Sequence, residues 1–146
     1  MKSLKCAAFT DALIPVEVES TFVRGLPGFN IVGLAGATIK ESESRVKAAL
    51  VSLNFKFPAS KIIINLSPSD TPKNGSHFDL AIALLIALQK ERIDDDFFVF
   101  GELGLDGSLK STASLFSILL FLSTKVRRAK ILVPQSIALK ACTIPN

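Results

Sequence analysis

The stretch from Asn65 to Leu84, NLSPSDTPKNGSHFDLAIAL, restricts the fold more than any other, because it sets a polar loop between two segments that must both be buried. Ile62 to Leu66 before the loop are apolar apart from Asn65, and Leu80 to Leu88 after it are apolar throughout. Segments of this kind leave water on folding, so a buried strand should run into the loop and a buried helix should leave it. The loop has the opposite character, with nine polar side chains in the thirteen positions from Ser67 to Asp79. A strand and a helix that hold a polar loop between them are a common way to present a functional site. Pro72, Lys73, Asn74, Gly75, Ser76, His77 and Asp79 are therefore the first residues to consider, with Asp79 or Ser76 placed to cap the helix.

The remainder is compatible with one domain. At 146 residues the chain can bury about 70% of its unfolded surface, and 49% hydrophobic against 21% charged residues fits a packed core. All eleven aromatic residues are Phe, which has no polar handle and fills core in preference to stacking on bases. Cys6 and Cys142 lie at opposite ends without CxxC spacing, which argues against a disulfide framework or a zinc site. Phe78 to Leu88 is too short to span a bilayer, and the run from Ala113 to Thr124 is interrupted by Ser and Thr. The expectation is a soluble, cytoplasmic domain without a membrane partner. A net charge of +4 permits an acidic partner such as nucleic acid.

In order, the pattern predicts an opening hairpin turning near Asp11, a strand from Phe29 to Leu34, and a helix from Ile39 to Leu53 with a Thr38/Glu41 capping box. Strands follow at Lys61 to Leu66 and Phe97 to Leu103, with a hairpin turn at Leu105-Asp106-Gly107-Ser108. A helix over Ala113 to Arg128, a strand over Lys130 to Val133 and a short helix over Ser136 to Cys142 complete the chain. Strands alternating with helices imply a mixed sheet packed with helices, an α+β fold.

Several chemistries can be weighed on these residues. Gly28 and Gly33 have the glycine spacing of a P-loop, but Leu34 and Ala35 follow where Lys and Ser or Thr must hold phosphate and magnesium. Ser76, His77 and Asp79 contain the residue types of a hydrolytic triad, yet neighbours at a helix start rarely face one another, so capping by Ser76 or Asp79 and a solvated His77 is the plainer reading. Asp94, Asp95 and Asp96 read as a solvated turn more than a metal site, and Lys125, Arg127, Arg128 and Lys130, which could contact phosphates, as cations favoured at a helix C-terminus in any case.

GLPGFNIVGL followed by IKESESRVKAAL, then FKFPASKIIINLSPSDTPKNGSHFDLAIAL, then FGELGLDGSL, resemble the N-terminal domain of the ComM/YifB family. These are bacterial AAA+ proteins related to the magnesium-chelatase ATPase subunit and linked to natural competence. The resemblance runs from about residue 3 to 135. It implies a ribosomal protein S5 domain 2-like fold, shared with the Lon proteolytic domain. It also implies a downstream AAA+ module that carries ATP and magnesium, a hexameric ring, and movement on DNA during branch migration. No cofactor is expected in this chain itself.

Lon proteases carry PKDGPSAG, whose Ser is the nucleophile, and a Lys beyond a GE-containing strand. Laid over Pro72 to His77, the motif puts His77 at the nucleophile position and Ser76 one place early, while Phe116 falls near the Lys position. The likeness to Lon thus argues against peptide hydrolysis, because Phe cannot move a serine proton. The chain departs from its nearer relatives at Ser111 to Ser114, at Ala81 and near Ile137 to Lys140. The expected role is a non-catalytic domain serving ring assembly or DNA guidance, with Lys40, Arg45, Lys47 and Lys73 as candidate DNA contacts. The alternatives are a Lon-like peptidase with a rearranged Ser/His centre and a chelatase-type partner domain.

Overall fold

The computed structural model describes residues 1–145. The chain opens with β1 (Lys2–Phe9) and β2 (Leu13–Val23), then β3 (Gly28–Val32), α1 (Ala37–Lys40), α2 (Ser42–Ser52) and β4 (Lys61–Ser67). A 3-10 turn (Ser76–Phe78) leads into α3 (Asp79–Ala87), followed by β5 (Phe97–Val99), β6 (Glu102–Leu103), β7 (Leu109–Lys110), α4 (Leu115–Lys125), β8 (Lys130–Leu132) and α5 (Gln135–Ala141).

Six strands form one sheet in the order β3-β4-β2-β1-β5-β8, and β6 with β7 makes a separate ribbon. The sheet is mixed. β2 is antiparallel to both β1 and β4, while β3/β4, β1/β5 and β5/β8 are parallel. The fold class is α+β, as the alternation of patterns requires.

Period-two sequence explains which face of the sheet is packed. Val16, Val18 and Ser20 of β2 are buried while Glu17 and Glu19 between them are not, and β4 buries Ile62, Ile64 and Leu66 in the same rhythm. Each such Ile or Leu contributes about 1.5–3 kcal/mol on leaving water. The apolar run in β4 is thus deeply buried on one face only, with Ile63 and Asn65 half-buried on the other. By contrast α3 is buried nearly all round, at Ala81, Ile82, Ala83, Leu85 and Ile86, where it lies against β1, β2 and α2.

Two elements differ from expectation. Phe97 to Leu103 is not one strand, because β5 belongs to the main sheet and β6 to the ribbon. The chain changes sheets at Gly101, where a Cβ would come within 2.6 Å of Leu109 Cδ1, and the backbone amide there turns to His77 O at 2.9 Å. The helix over Ile39 to Leu53 is two segments meeting at Glu41, whose backbone stays helical. Its capping box does not form: Gly36 precedes the first turn without a side-chain cap, and the Thr38 hydroxyl is engaged by the 72–79 loop instead.

Candidate functional site

The polar loop keeps Pro68, Ser69, Asp70, Pro72 and Asn74 exposed but draws three of its polar side chains into the molecule. Lys73 is 2% exposed, His77 3% and Asp79 0%, which corrects the expectation of an exposed Lys73 and a solvated His77. The cause is the backbone route. Ala35 and Lys73 form a parallel bridge in which Lys73 N donates to Leu34 O and Gly36 N donates to Lys73 O. That bridge turns the lysine stem inward, where its amine donates to Gly33 O at 2.8 Å, Thr71 O at 2.6 Å and Pro68 O. A lysine has three N–H donors, so these carbonyls saturate it. Burial lowers the Lys73 pKa, against which the charge of Asp70 acts.

His77 is fixed just as firmly. Its Nε2 lies 2.8 Å from Ala7 O, so Nε2 carries the proton, while the buried Nδ1 has no hydrogen-bond partner. Its ring lies against Phe78 and over Gly75, where an added Cβ would sit 2.5 Å from Nδ1 and Cε1. Gly75 has φ +120°, a conformation that only glycine adopts without strain, so backbone and ring require glycine there together. Burial lowers the His77 pKa, opposed by the hydrogen bond to Ala7 and the charge of Asp79. A second proton on Nδ1 would have no acceptor, and the ring is neutral.

Asp79 is the centre of the network. Arg45 reaches it with Nε to Oδ2 at 2.7 Å and Nη2 to Oδ1 at 3.1 Å, Ser42 Oγ donates to Oδ1 at 2.5 Å, and Leu103 N donates to Oδ2 at 3.1 Å. Asp79 therefore does not cap its own helix, which has no side-chain cap, and Ser76 does not cap it either. The hydrogen bond to Asp79 raises the Arg45 pKa, with burial acting in the opposite sense. Glu41, four residues before Arg45, also reaches it at 3.4 Å, and Glu43 accepts Ile31 N at 3.0 Å. Asn74 and Gly75 N both meet the Thr38 hydroxyl, the latter at 2.8 Å.

The Ser76 hydroxyl donates to Glu102 Oε2 at 2.5 Å, while the imidazole turns to Ala7. Serine and histidine thus have different partners and do not form a nucleophile and base. Among the four candidate contacts, Arg45 and Lys73 are committed to internal partners. Lys40 and Lys47 are exposed, but they lie apart. Lys40 borders a hollow with Val32 and Pro72, at the C-terminal end of β3, and Lys47 borders one with Gly28 and Phe57, at its start.

The residues at Gly28 to Ala35 do not fit a nucleotide. The span between the two glycines is β3 itself, and a Cβ on Gly33 would lie 2.3 Å from Leu66 O, so that glycine permits two backbones to touch. Among the described residues no group of three or more His, Cys, Asp or Glu could hold a metal ion. Asp94 and Asp96 pair with Lys130 at 3.1 Å and Lys5 at 3.2 Å. Cys6 is buried and Cys142 exposed, both as free thiols. No helix among the described residues is long and apolar enough to cross a membrane.

A mixed six-stranded sheet packed with helices, its 72–79 loop latched to α1 and α2 through Thr38, Arg45 and Asp79, defines a folded α+β module. Residues 18–137 match the family described as subunit ChlI of Mg-chelatase, and the chain belongs to that family. It is 38% identical to YifB of Escherichia coli (strain K12) over 107 residues, 70% of this chain and 21% of that protein. It is 37% identical to the competence protein ComM of Haemophilus influenzae over 125 residues, 83% of this chain and 24% of that protein. The chain thus spans about a fifth to a quarter of the length of these relatives.

Proposed function

We propose that this chain is the non-catalytic N-terminal domain of a ComM-like AAA+ motor that acts on DNA, serving ring assembly, DNA guidance or both. The observation that carries the reading is the similarity to a competence protein over 83% of this chain and only 24% of that protein, which leaves room there for a separate motor. ATP and magnesium belong to that motor, and a hexamer is the expected assembly. The S5 domain 2-like relationship, shared with Lon, is part of the same reading. The non-catalytic part of the reading is supported by a site in which Lys73, His77 and Asp79 are all used internally.

The peptidase alternative has one observation in its favour, the short contact between Ser76 and the Glu102 carboxylate. Incubation with unfolded casein and a serine-reactive fluorophosphonate separates the two readings. No cleavage and no labelling are expected, and labelling abolished by Ser76→Ala would overturn the non-catalytic role. The assembly role is tested in the full-length parent, where removing residues 1–146 should shift the nucleotide-bound particle from hexamer to smaller species in sedimentation velocity. An unchanged hexamer leaves only the DNA-guiding role.

A further inference from the structure

Carboxylates are unevenly distributed along this chain. Residues 20–40 and 44–69 contain six Lys and Arg and not one Asp or Glu. The fold sorts the six. Arg45 is held by Asp79, and Lys40 sits beyond the far end of β3. The other four, Arg24, Lys47, Lys56 and Lys61, gather at one pole of the sheet.

The register shows why. β2 ends where β3 and β4 begin, with Lys61 opposite both Val23 and Gly28. Arg24 follows Val23 directly, in the turn to β3. Lys56 lies in the 53–60 connection that returns the chain from α2 to Lys61. Lys47 of α2 lines a small hollow with Pro27, Gly28, Phe29, Phe57, Pro58 and Ser60. Arg24, Lys47 and Lys56 are exposed and Lys61 is half-exposed. None of the four forms an ion pair among the described residues, although Lys5, Arg45 and Lys130 all do.

Carboxylates next to these cations along α2 and the β2/β4 pair have other partners. Glu43, one helical turn from Lys47, accepts Ile31 N, and Glu19 accepts Asn65 Nδ2 at 2.7 Å, four residues along the strands from Lys61. These four cations equal the whole formal net charge of +4, so the rest of the chain is balanced. A positive end whose cations form no ion pair among the described residues attracts a polyanion and releases the polyanion's own counterions on contact.

We infer that this pole, formed by Arg24, Lys47, Lys56 and Lys61, binds the phosphate backbone of nucleic acid. The inference rests on the DNA-guiding reading above and moves its contact surface: of the four candidates named from sequence, only Lys47 belongs to it. Phosphates spaced along a strand match cations spread over a turn, a helix, a connection and a strand. Apolar Leu26, 89% exposed, and half-buried Phe29 and Phe57 adjoin them.

The test is fluorescence anisotropy with a labelled 30-nucleotide mixed-sequence DNA, single-stranded and as duplex, at 50 to 200 mM salt. Engagement of all four cations gives a slope near −3 for single strands, a loss of about 50-fold over that range. Substituting Arg24, Lys47, Lys56 and Lys61 together with Gln should weaken binding at least tenfold and flatten the slope. A control substituting Lys90, Lys125, Arg127 and Lys140 with Gln removes the same charge elsewhere and should retain the slope and most of the affinity. Circular dichroism and the thermal midpoint confirm that both variants fold. Binding by the unaltered chain that both variants weaken equally overturns the pole alone, and no binding by the unaltered chain overturns the DNA-guiding reading with it. Polyglutamate held by the pole as tightly as DNA would make it an acidic-peptide site and overturn the assignment to phosphate.

Discussion

The 72–79 loop and the basic pole are both polar in sequence, yet their side chains end in opposite places. Lys73 finds three carbonyls within its own fold, whereas Lys47, Lys56 and Lys61 form no ion pair among the described residues. The loop spends its polarity on tying α1 and α2 to the segment from Phe100 to Leu103, through Thr38, Arg45, Glu102 and Leu103 N. The pole leaves its charge for solvent or for something that binds. Polar density in a sequence therefore identifies a special region without saying whether it is a latch or a landing surface. Counting the internal partners of each charge, carbonyls as well as carboxylates, separates the two.

Removing the centre of the latch should do the most damage. Asp79→Ala leaves Arg45 partly buried without its partner, and a loss of about 3–5 kcal/mol is expected in urea unfolding. The double change Arg45→Met with Asp79→Leu should cost clearly less than the sum of the two single changes. Additive losses would show that the pair is not the unit holding α2 to α3.

Gly75→Ala ranks next, because the new Cβ meets the His77 ring at 2.5 Å at a φ that alanine disfavours. A loss of about 1–3 kcal/mol is expected, read from the thermal midpoint together with the near-ultraviolet signal of the Phe environment. A wild-type midpoint in this variant would mean that the ring moves freely.

His77 adds a pH dependence whose sign follows from its burial. Its pKa is lowered in the folded state from the ordinary 6.5, so the unfolded chain binds the proton more readily. The contribution of the neutral ring is complete above that value and declines as pH falls through it, by at most about 1.4 kcal/mol per pH unit. Urea midpoints at pH 7.5 and 5.5 should separate more in the wild type than in His77→Leu. Equal separation would place the acid sensitivity elsewhere.

The smallest effect belongs to the pole. Substituting Arg24, Lys47 and Lys56 singly with Gln should change stability by less than about 0.5 kcal/mol each, since no internal partner is lost. A larger loss in any of the three would reveal an internal role and blur the contrast with the loop.

Much of this was legible in sequence. The strand before the loop, the buried helix after it, the hairpin at Asp11 and the turn at Gly107 all follow from local periodicity and turn chemistry. The carboxylate network was less so, although one signal existed. Asp79 begins a helix that is apolar to Leu88, and a carboxylate entering such a core needs a cation. Helix spacing offers Arg45 only Glu41, four residues before it. The buried Asp79, 34 residues away, holds it with two hydrogen bonds. The pole was missed because its cations are separated by up to 37 positions and form no motif.

Composition and periodicity determined by themselves that this chain folds as an α+β domain around a strand, a polar loop and an apolar helix, because burial of apolar surface depends on local pattern. They also determined that two long segments carry cations and no acids. Only the tertiary structure decided where those charges go. Whether a lysine is buried or free depends on which backbone carbonyls and carboxylates the fold brings within about 3 Å of it. At Lys73 the bridge to Ala35 brings three carbonyls, and at the end of the sheet where β2, β3 and β4 meet the cations form no ion pair among the described residues.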